Sequence, residues 1–285
     1  MELTQATWIA WIYVALLGLC VGSFLNVVIY RLPIMLKKRW QQECLVYFNT
    51  TTDVQDQEQQ ETFNLLLPRS RCTSCQSLIA WYNNIPLLSW LRLHGRCAQC
   101  DARISFRYPL VEAATTLASL LTIKLLGFNL AGFFGLIFLW ILITLTMIDL
   151  DEQLLPDDLT LPLLWLGLIV NLHNLYSPLT SAVIGAVAGY LILWCIYWIF
   201  RIITGKEGMG YGDFKLLAAL GAWLGWQTLP IIILISALLG AIAGIGYLLV
   251  RRKNLAFPFG PYLAVAGLIT LLWHNTLMSW YLGHG

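Results

Sequence analysis

The sequence predicts an all-α polytopic membrane protein of about eight transmembrane helices, with a cytoplasmic loop between the first and the second. Three observations predict it. The 285-residue chain is 59% hydrophobic and only 11% charged, whereas soluble domains carry about 25% charged residues. Uncharged apolar runs near the ~20 residues needed to cross hydrocarbon recur along its length. Thirteen Trp and twelve Tyr suit a protein with two membrane interfaces, where such rings collect. A soluble protein with one large apolar core leaves those repeated runs unexplained. The net charge of +2 carries no signal for a nucleic-acid partner, and none is expected.

Taken in order, the spans fall at residues 8–30, 110–126, 131–148, 159–176, 182–203, 214–228, 229–250 and 258–281. The first run is too long for a signal-peptide core. No basic segment precedes it and no clear small-residue cleavage site follows, so it reads as a retained span. The sixth is short, with Trp223 and Trp226 expected at its far interface and local bilayer thinning to accommodate it. Eight spans put alternate loops on one side, and 16 of the 17 Lys and Arg fall there, Lys124 being the exception. That asymmetry makes this side cytoplasmic and both termini external. The organisation expected is a first helix at 1–30, a cytoplasmic loop at 31–109 and a seven-helix membrane domain at 110–285.

The loop carries Cys72-Thr-Ser-Cys75 and Cys97-Ala-Gln-Cys100, with 21 residues between them. Two CxxC turns so spaced offer Cys72, Cys75, Cys97 and Cys100 to one tetrahedral ion. Four thiolates leave no position for water, so the site is structural, and thiolate-rich tetrahedral sites favour zinc. A pair of disulfides does not suit a reducing compartment; another metal or a redox role stays open. His94 is a competing ligand only if the four Cys leave a place. Cys20 and Cys195 read as small apolar residues in spans, and Cys44 has no visible pair. Residues 49–62, rich in Thr, Asp and Gln, read as mobile.

From Asp149 onward the chain has seven acids: Asp149, Asp151, Glu152, Asp157, Asp158, Glu207 and Asp213. All sit in or beside cytoplasmic loops, and most read as hydrated loop charge. Asp149 and Asp213 abut apolar helices, where an ionised carboxylate is costly and by default functional. Asp213 closes Gly210-Tyr211-Gly212-Asp213 in the run Lys206 to Lys215, where three glycines in five residues, Gly208, Gly210 and Gly212, allow unusual backbone angles and close approach of a substrate chain. The plain alternative is a Gly-rich turn with Asp213 as N-cap of the sixth span. Two adjacent carboxylates cannot both ionise cheaply, so one takes a proton from water while the other, protonated, polarises a scissile carbonyl. Such a pair hydrolyses peptide bonds. No Ser or Cys nucleophile with a nearby His stands out, and His173, His274 and His284 lie toward the outer side.

These residues resemble a known family. Gly-Tyr-Gly-Asp213 followed by Lys215 resembles the GxGD motif of bacterial type IV prepilin peptidases. Asp149 with Pro156-Asp157 is similar to their other aspartate motif. Gly22-Ser-Phe-Leu-Asn-Val-Val-Ile-Tyr-Arg-Leu-Pro33 looks like their first-span signature, the paired CxxC matches their zinc-containing branch, and Phe257-Pro-Phe-Gly-Pro-Tyr262 resembles the entry to their last span. The matches run in family order over nearly the whole chain. The resemblance implies an inner-membrane aspartic protease with Asp149 and Asp213 catalytic and the four Cys as metal ligands. Its substrates would be prepilins and type II secretion pseudopilins, cleaved after a basic leader on the cytoplasmic side. It also implies N-methylation of the new N-terminal residue, usually Phe, from S-adenosylmethionine, an activity attributed to the N-terminal cytoplasmic portion; no methyl-donor residues carry over. Glu207, Asp151 and Glu152 have the charge to attract the basic leader. Competing readings are a peptidase without methyltransferase activity, a proton-coupled transporter, whose acids belong near mid-membrane, and a non-catalytic scaffold with a zinc docking module.

Overall fold

The computed structural model describes residues 8–47, 63–72, 74–80, 82, 85–206, 208–251 and 258–283. Among these the chain is all-helical, apart from two isolated antiparallel bridges, Arg71 with Leu78 and Arg96 with Arg103. Five helices are long and apolar enough to cross a membrane, or six if a bent C-terminal pair counts as one. The expected mobile stretch at 49–62, Glu207, Phe257 and His284 lie outside the described residues. The chain divides into two compact units, Met1–Leu120 and Leu121–Gly285.

In the first unit, α1 (Trp8–Tyr47) runs for 40 residues. At 1.5 Å per residue that is about 60 Å, twice the ~30 Å hydrocarbon thickness. The expected boundary at residue 30 is therefore no boundary: the helix continues through Pro33 and the Lys37-Lys38-Arg39 cluster. Proline removes one N–H from the ladder but does not unwind the flanking turns here. Helix α2 (Leu88–Arg92) is one short turn in the loop, and α3 (Arg107–Leu126) leads from this unit into the next. Helices α1 and α3 pack antiparallel with matched steps of four residues. A Cβ on Gly18 would lie 2.9 Å from the Thr116 Cα, and one on Gly22 2.8 Å from the Glu112 Cα. One turn further, the Asn26 side-chain amide donates to the Tyr108 carbonyl at 3.1 Å. Gly18 and Gly22 form a small-xxx-small stripe, which lets two backbones approach where lipid supplies no hydrophobic drive for association.

The second unit is built around α7 (Tyr211–Leu224), preceded by α4 (Leu130–Glu152), α5 (Asp157–Val170) and α6 (Leu179–Thr204) and followed by α8 (Leu229–Arg251), α9 (Gly260–Leu272) and α10 (His274–Leu282). Helix α7 is the short sixth span of the sequence reading. Of its residues from Asp213 to Leu224, all but Lys215 are buried. It is a core helix sheathed by its neighbours, so it has no lipid thickness to match. Its C-terminal carbonyls are satisfied by protein: the Asn171 side-chain amide donates to the Ala222 and Trp223 carbonyls at 2.8 and 2.9 Å. Backbone at membrane depth requires such partners. Trp223 is fully buried, its indole N–H on the Leu163 carbonyl at 2.8 Å. It is thus a core residue and not the interfacial anchor expected, whereas Trp226 is 47% exposed. Gly185 and Gly189 of α6, again four apart, admit the α7 backbone at Gly221 and Leu217. Helix α5 stops at Val170, short of the expected residue 176, and α9 breaks from α10 by 93°.

Candidate functional site

In the first unit, two copies of one backbone turn present the cysteines. The Cys72 amide donates to the Ser77 carbonyl and the Gln76 amide to Cys72; in the second copy Cys97 pairs with Ala102, and Asp101 with Cys97. Gln76 and Asp101 occupy the same left-handed place in each turn, with φ of 57° and 55°. Each turn is closed by one of the two bridges. The four sulfurs lie within 4.8 Å of one another, and Cys72 and Cys100 are 3.8 Å apart. A tetrahedral ion with bonds of ~2.3 Å to sulfur spaces its ligands about 3.8 Å apart, so the four thiols fit zinc. Their surroundings suit thiolates. The Ser77 hydroxyl and amide hold the Cys75 thiol down at about 6, and the amides of Gln99 and Cys100 lower Cys97. Cys100 receives the Ala102 amide but is pushed up to about 12 by the sulfurs of Cys75, Cys97 and Cys72 and by partial burial. One ion held by the four removes that mutual penalty.

A cleft of about 880 Å³ opens beside this knuckle within the same unit. Asn26, Tyr30, Arg31, Trp90, Tyr108 and Glu112 line it. Arg31 is buried and donates to the carbonyls of Asn64 (2.9 Å) and Pro68 (2.6 Å), which holds the chain entering the knuckle against α1. Trp90 closes on Gly95, whose φ of +69° and lack of Cβ the contact requires.

In the second unit, Asp149 lies in the last turn of α4 and Asp213 in the first turn of α7. They are 5% and 7% exposed, buried for carboxylates, and the charge of Asp149 acts directly on Asp213. Asp149 Oδ2 is fully buried with no hydrogen-bond partner among the described residues. Native structures leave few such atoms, and an orphaned one calls for a water, a ligand or a catalytic role. Asp213 is the third residue of α7, and Gly210 holds the N-cap position, so Asp213 does not cap the helix. Its carboxylate accepts the Gly210 amide at the positive end of the helix dipole. Of the glycines before it, Gly208 and Gly212 serve close approach. Gly208, Gly210 and Gly212 are absent from the positive-φ residues. A Cβ on Gly212 would meet Leu155 at 2.7 Å, and one on Gly208 would meet Phe200 at 2.8 Å. The turn is pinned by rings: Tyr197, Tyr211 and Phe214 form a triangle with centroids 5.4–5.7 Å apart.

Of the leader-attracting acids expected, Asp151 and Glu152 are exposed at the end of α4. Lys215 of the GxGD run pairs with Asp157 at 2.7 Å, which ties α7 to α5. Sequence reasoning overlooked two features. Gly260 presses its Cα against Asp149, where a Cβ would lie 2.6 Å from Oδ2, and Leu155 fills the space beside both Gly260 and Gly212. Glu112, 8% exposed, sits in the cleft wall. Its position six residues into an apolar helix was the available signal.

Residues 16–125 match the bacterial peptidase A24 N-terminal domain, and residues 136–245 match the type IV leader peptidase family. The chain is 56% identical over 277 residues to the prepilin leader peptidase/N-methyltransferase of Aeromonas salmonicida (strain A449), covering 96% of this chain and 94% of that one. It is 52% identical to the protein of that name from Pseudomonas putida (92% and 90% covered) and 47% identical to the one from Legionella pneumophila (97% and 96% covered). No solved structure matches the chain. With both domains matched in order and near-complete coverage of these relatives, the chain belongs to the type IV leader peptidase family.

Proposed function

We propose that this chain is a bifunctional enzyme of the bacterial inner membrane. It cleaves the basic leader from type IV prepilins and type II secretion pseudopilins at the cytoplasmic face and N-methylates the new N-terminal residue, usually Phe. One observation carries the peptidase assignment: Asp149 and Asp213, 64 positions apart in sequence, are two buried carboxylates within electrostatic reach of each other. Such a pair shares one proton, and its titration belongs to the pair. The ionised member takes a proton from water as the oxygen attacks the scissile carbonyl. The protonated member donates to the carbonyl oxygen, and the proton gained returns to the leaving amine. Asp149 and Asp213 are each at the boundary end of an apolar helix. That depth suits a substrate whose apolar segment lies in lipid and whose basic leader lies in water.

Cys72, Cys75, Cys97 and Cys100 hold zinc as a closed structural centre that stabilises the knuckle beside the cleft. The cleft supports a methyl-donor site. Its size falls within the range of small-molecule sites, roughly 300–1,000 Å³, and Tyr30, Trp90 and Tyr108 supply aromatic surface for a purine. S-adenosylmethionine, when bound there, supplies an electrophilic methyl group. The excess of Lys and Arg in the knuckle-bearing loop supports its cytoplasmic placement. Purified protein given a prepilin and a labelled methyl donor tests both activities. Asp149→Asn and Asp213→Asn are each expected to abolish cleavage while the protein still inserts. Normal cleavage by either variant refutes the pair.

A further inference from the structure

Among the described residues Glu112 is the only acid lining the cleft, against four arginines, Arg31, Arg69, Arg71 and Arg103. It lies about 7.5 Å along α3 from Arg107, at 1.5 Å per residue, where an acid entering an apolar helix is costly and marks function. Gly22 gives α1 the contact that seats it, and its position in the wall is fixed by two donors, the Leu87 amide at 2.8 Å and the Ser23 hydroxyl. A carboxylate offers about four acceptor sites, so two remain for a ligand. Among the described residues no cation pairs with it. A buried anion placed in a cleft without a cation partner calls for one from the ligand.

Resting on the methyltransferase reading above, we propose that Glu112 binds the substrate's newly exposed α-ammonium group and is the proton acceptor that makes it nucleophilic. A free α-amine has a pKa near 7.7–8.0, so at neutral pH most of it is protonated and lacks the lone pair that methyl transfer needs. The –NH3+ group gives one proton to the Glu112 carboxylate. The neutral amine's lone pair then forms the new N–C bond to the donor's methyl carbon as the C–S bond breaks, and that bonding pair stays on sulfur. The products are a secondary ammonium, –NH2CH3+, and a neutral thioether, with the proton on Glu112 released to water. The same carboxylate favours a free N-terminus over an internal peptide bond, so methylation follows leader removal.

Glu112→Gln tests this, because the amide oxygen still accepts from Leu87 and the Ser23 hydroxyl pairs with either end of an amide, so the charge and basicity are what is lost. Leader cleavage, which draws on the carboxylates of the second unit, reports that the variant is folded. The expected result is a loss of methylation rate at pH 7 of roughly six- to elevenfold or more, and a recovery by about that factor as pH rises above about 8, where the amine loses its proton unaided. In a binding assay without methyl donor, a peptide carrying the mature N-terminus should bind the wild type more tightly than its N-acetylated form, and Glu112→Gln should lose that preference. Methylation by the variant at the wild-type rate at pH 7 overturns the proposal. A loss that pH does not recover, with the preference for the free amine intact, also overturns it. Wild-type protein that cleaves but never methylates overturns the methyltransferase reading itself, and this proposal with it.

Discussion

Gly260→Ala isolates the geometry of the carboxylate pair without touching either acid. The new Cβ would lie 2.6 Å from Asp149 Oδ2 and 3.2 Å from its Cγ, with Leu155 Cδ1 at 3.0 Å on the other side. Ordinary carbon–oxygen contacts begin near 3.3 Å, so the carboxylate or the α9 backbone must yield by about 0.7 Å in a packed interior. Misplacement of a catalytic group by about 1 Å costs up to ~10²-fold in rate, which is about 2.7 kcal/mol in the barrier. The overpacking itself costs about 1–3 kcal/mol of stability. The assay is leader cleavage by purified protein, with kcat and KM separated and thermal unfolding followed in parallel. The expected outcome is a fall in kcat of ten- to a hundredfold with a modest drop in Tm. Gly244→Ala is the control, since nothing lies within 4 Å of its Cβ position; it should leave both quantities near wild type. A folded Gly260→Ala protein with wild-type kcat refutes the claim that Asp149 is held at this position for catalysis.

Asn171→Ala removes two donors to the α7 carbonyls and two acceptor contacts, to the Tyr176 and Ser177 amides at 3.1 Å. Leaving these buried groups unpaired should cost on the order of 3 kcal/mol, read as a lowered Tm in detergent. Cys→Ser at any of the four knuckle positions should release zinc, measured by metal analysis; full metal content in all four single variants refutes the site. Protons compete with the ion for sulfur. Cys75, held at about 6, and Cys97, also lowered, offer thiolates near neutral pH, while Cys100, pushed up to about 12, gives up its proton only to the ion, so metal affinity should weaken steadily as pH falls. Metal content unchanged at pH 4 to 5 would count against thiolate ligation.

Much of this was legible because chemistry in a membrane is written in local sequence. Charge is so rare in the apolar runs that Asp149 and Asp213 stood out singly, and the CxxC spacing names its own metal chemistry. The misreadings share one cause. A span was identified by its length and hydropathy, and neither distinguishes lipid from protein as the apolar surroundings. Helix α7 is short because protein encloses it, and Trp223 is buried where a membrane-facing helix would carry an interfacial ring. Helix α1 continues past Tyr30 although its sequence turns basic, since charged side chains are compatible with a helix once it leaves the bilayer. Gly260 lay in the quoted Phe257–Tyr262 run but nothing there tied it to Asp149, and Leu155 had no individual signal, because close approach is a property of two segments and sequence shows one at a time.

The sequence by itself determined the helical membrane architecture and singled out four thiols as a candidate metal centre and two carboxylates as a candidate catalytic pair. Each follows from composition and spacing within one segment. Only the tertiary structure decided that Asp149 meets Gly260 with one oxygen unpaired among the described residues, that glycines at Gly208 and Gly212 serve close packing and not turn geometry, and that Glu112, held by the Leu87 amide and the Ser23 hydroxyl, faces a cleft without a described cation partner. Those are contacts between residues from different helices. They depend on which helix faces pack together, and helix packing is set by the whole set of small residues and caps, such as Gly22, Gly185 and Asn171, acting at once.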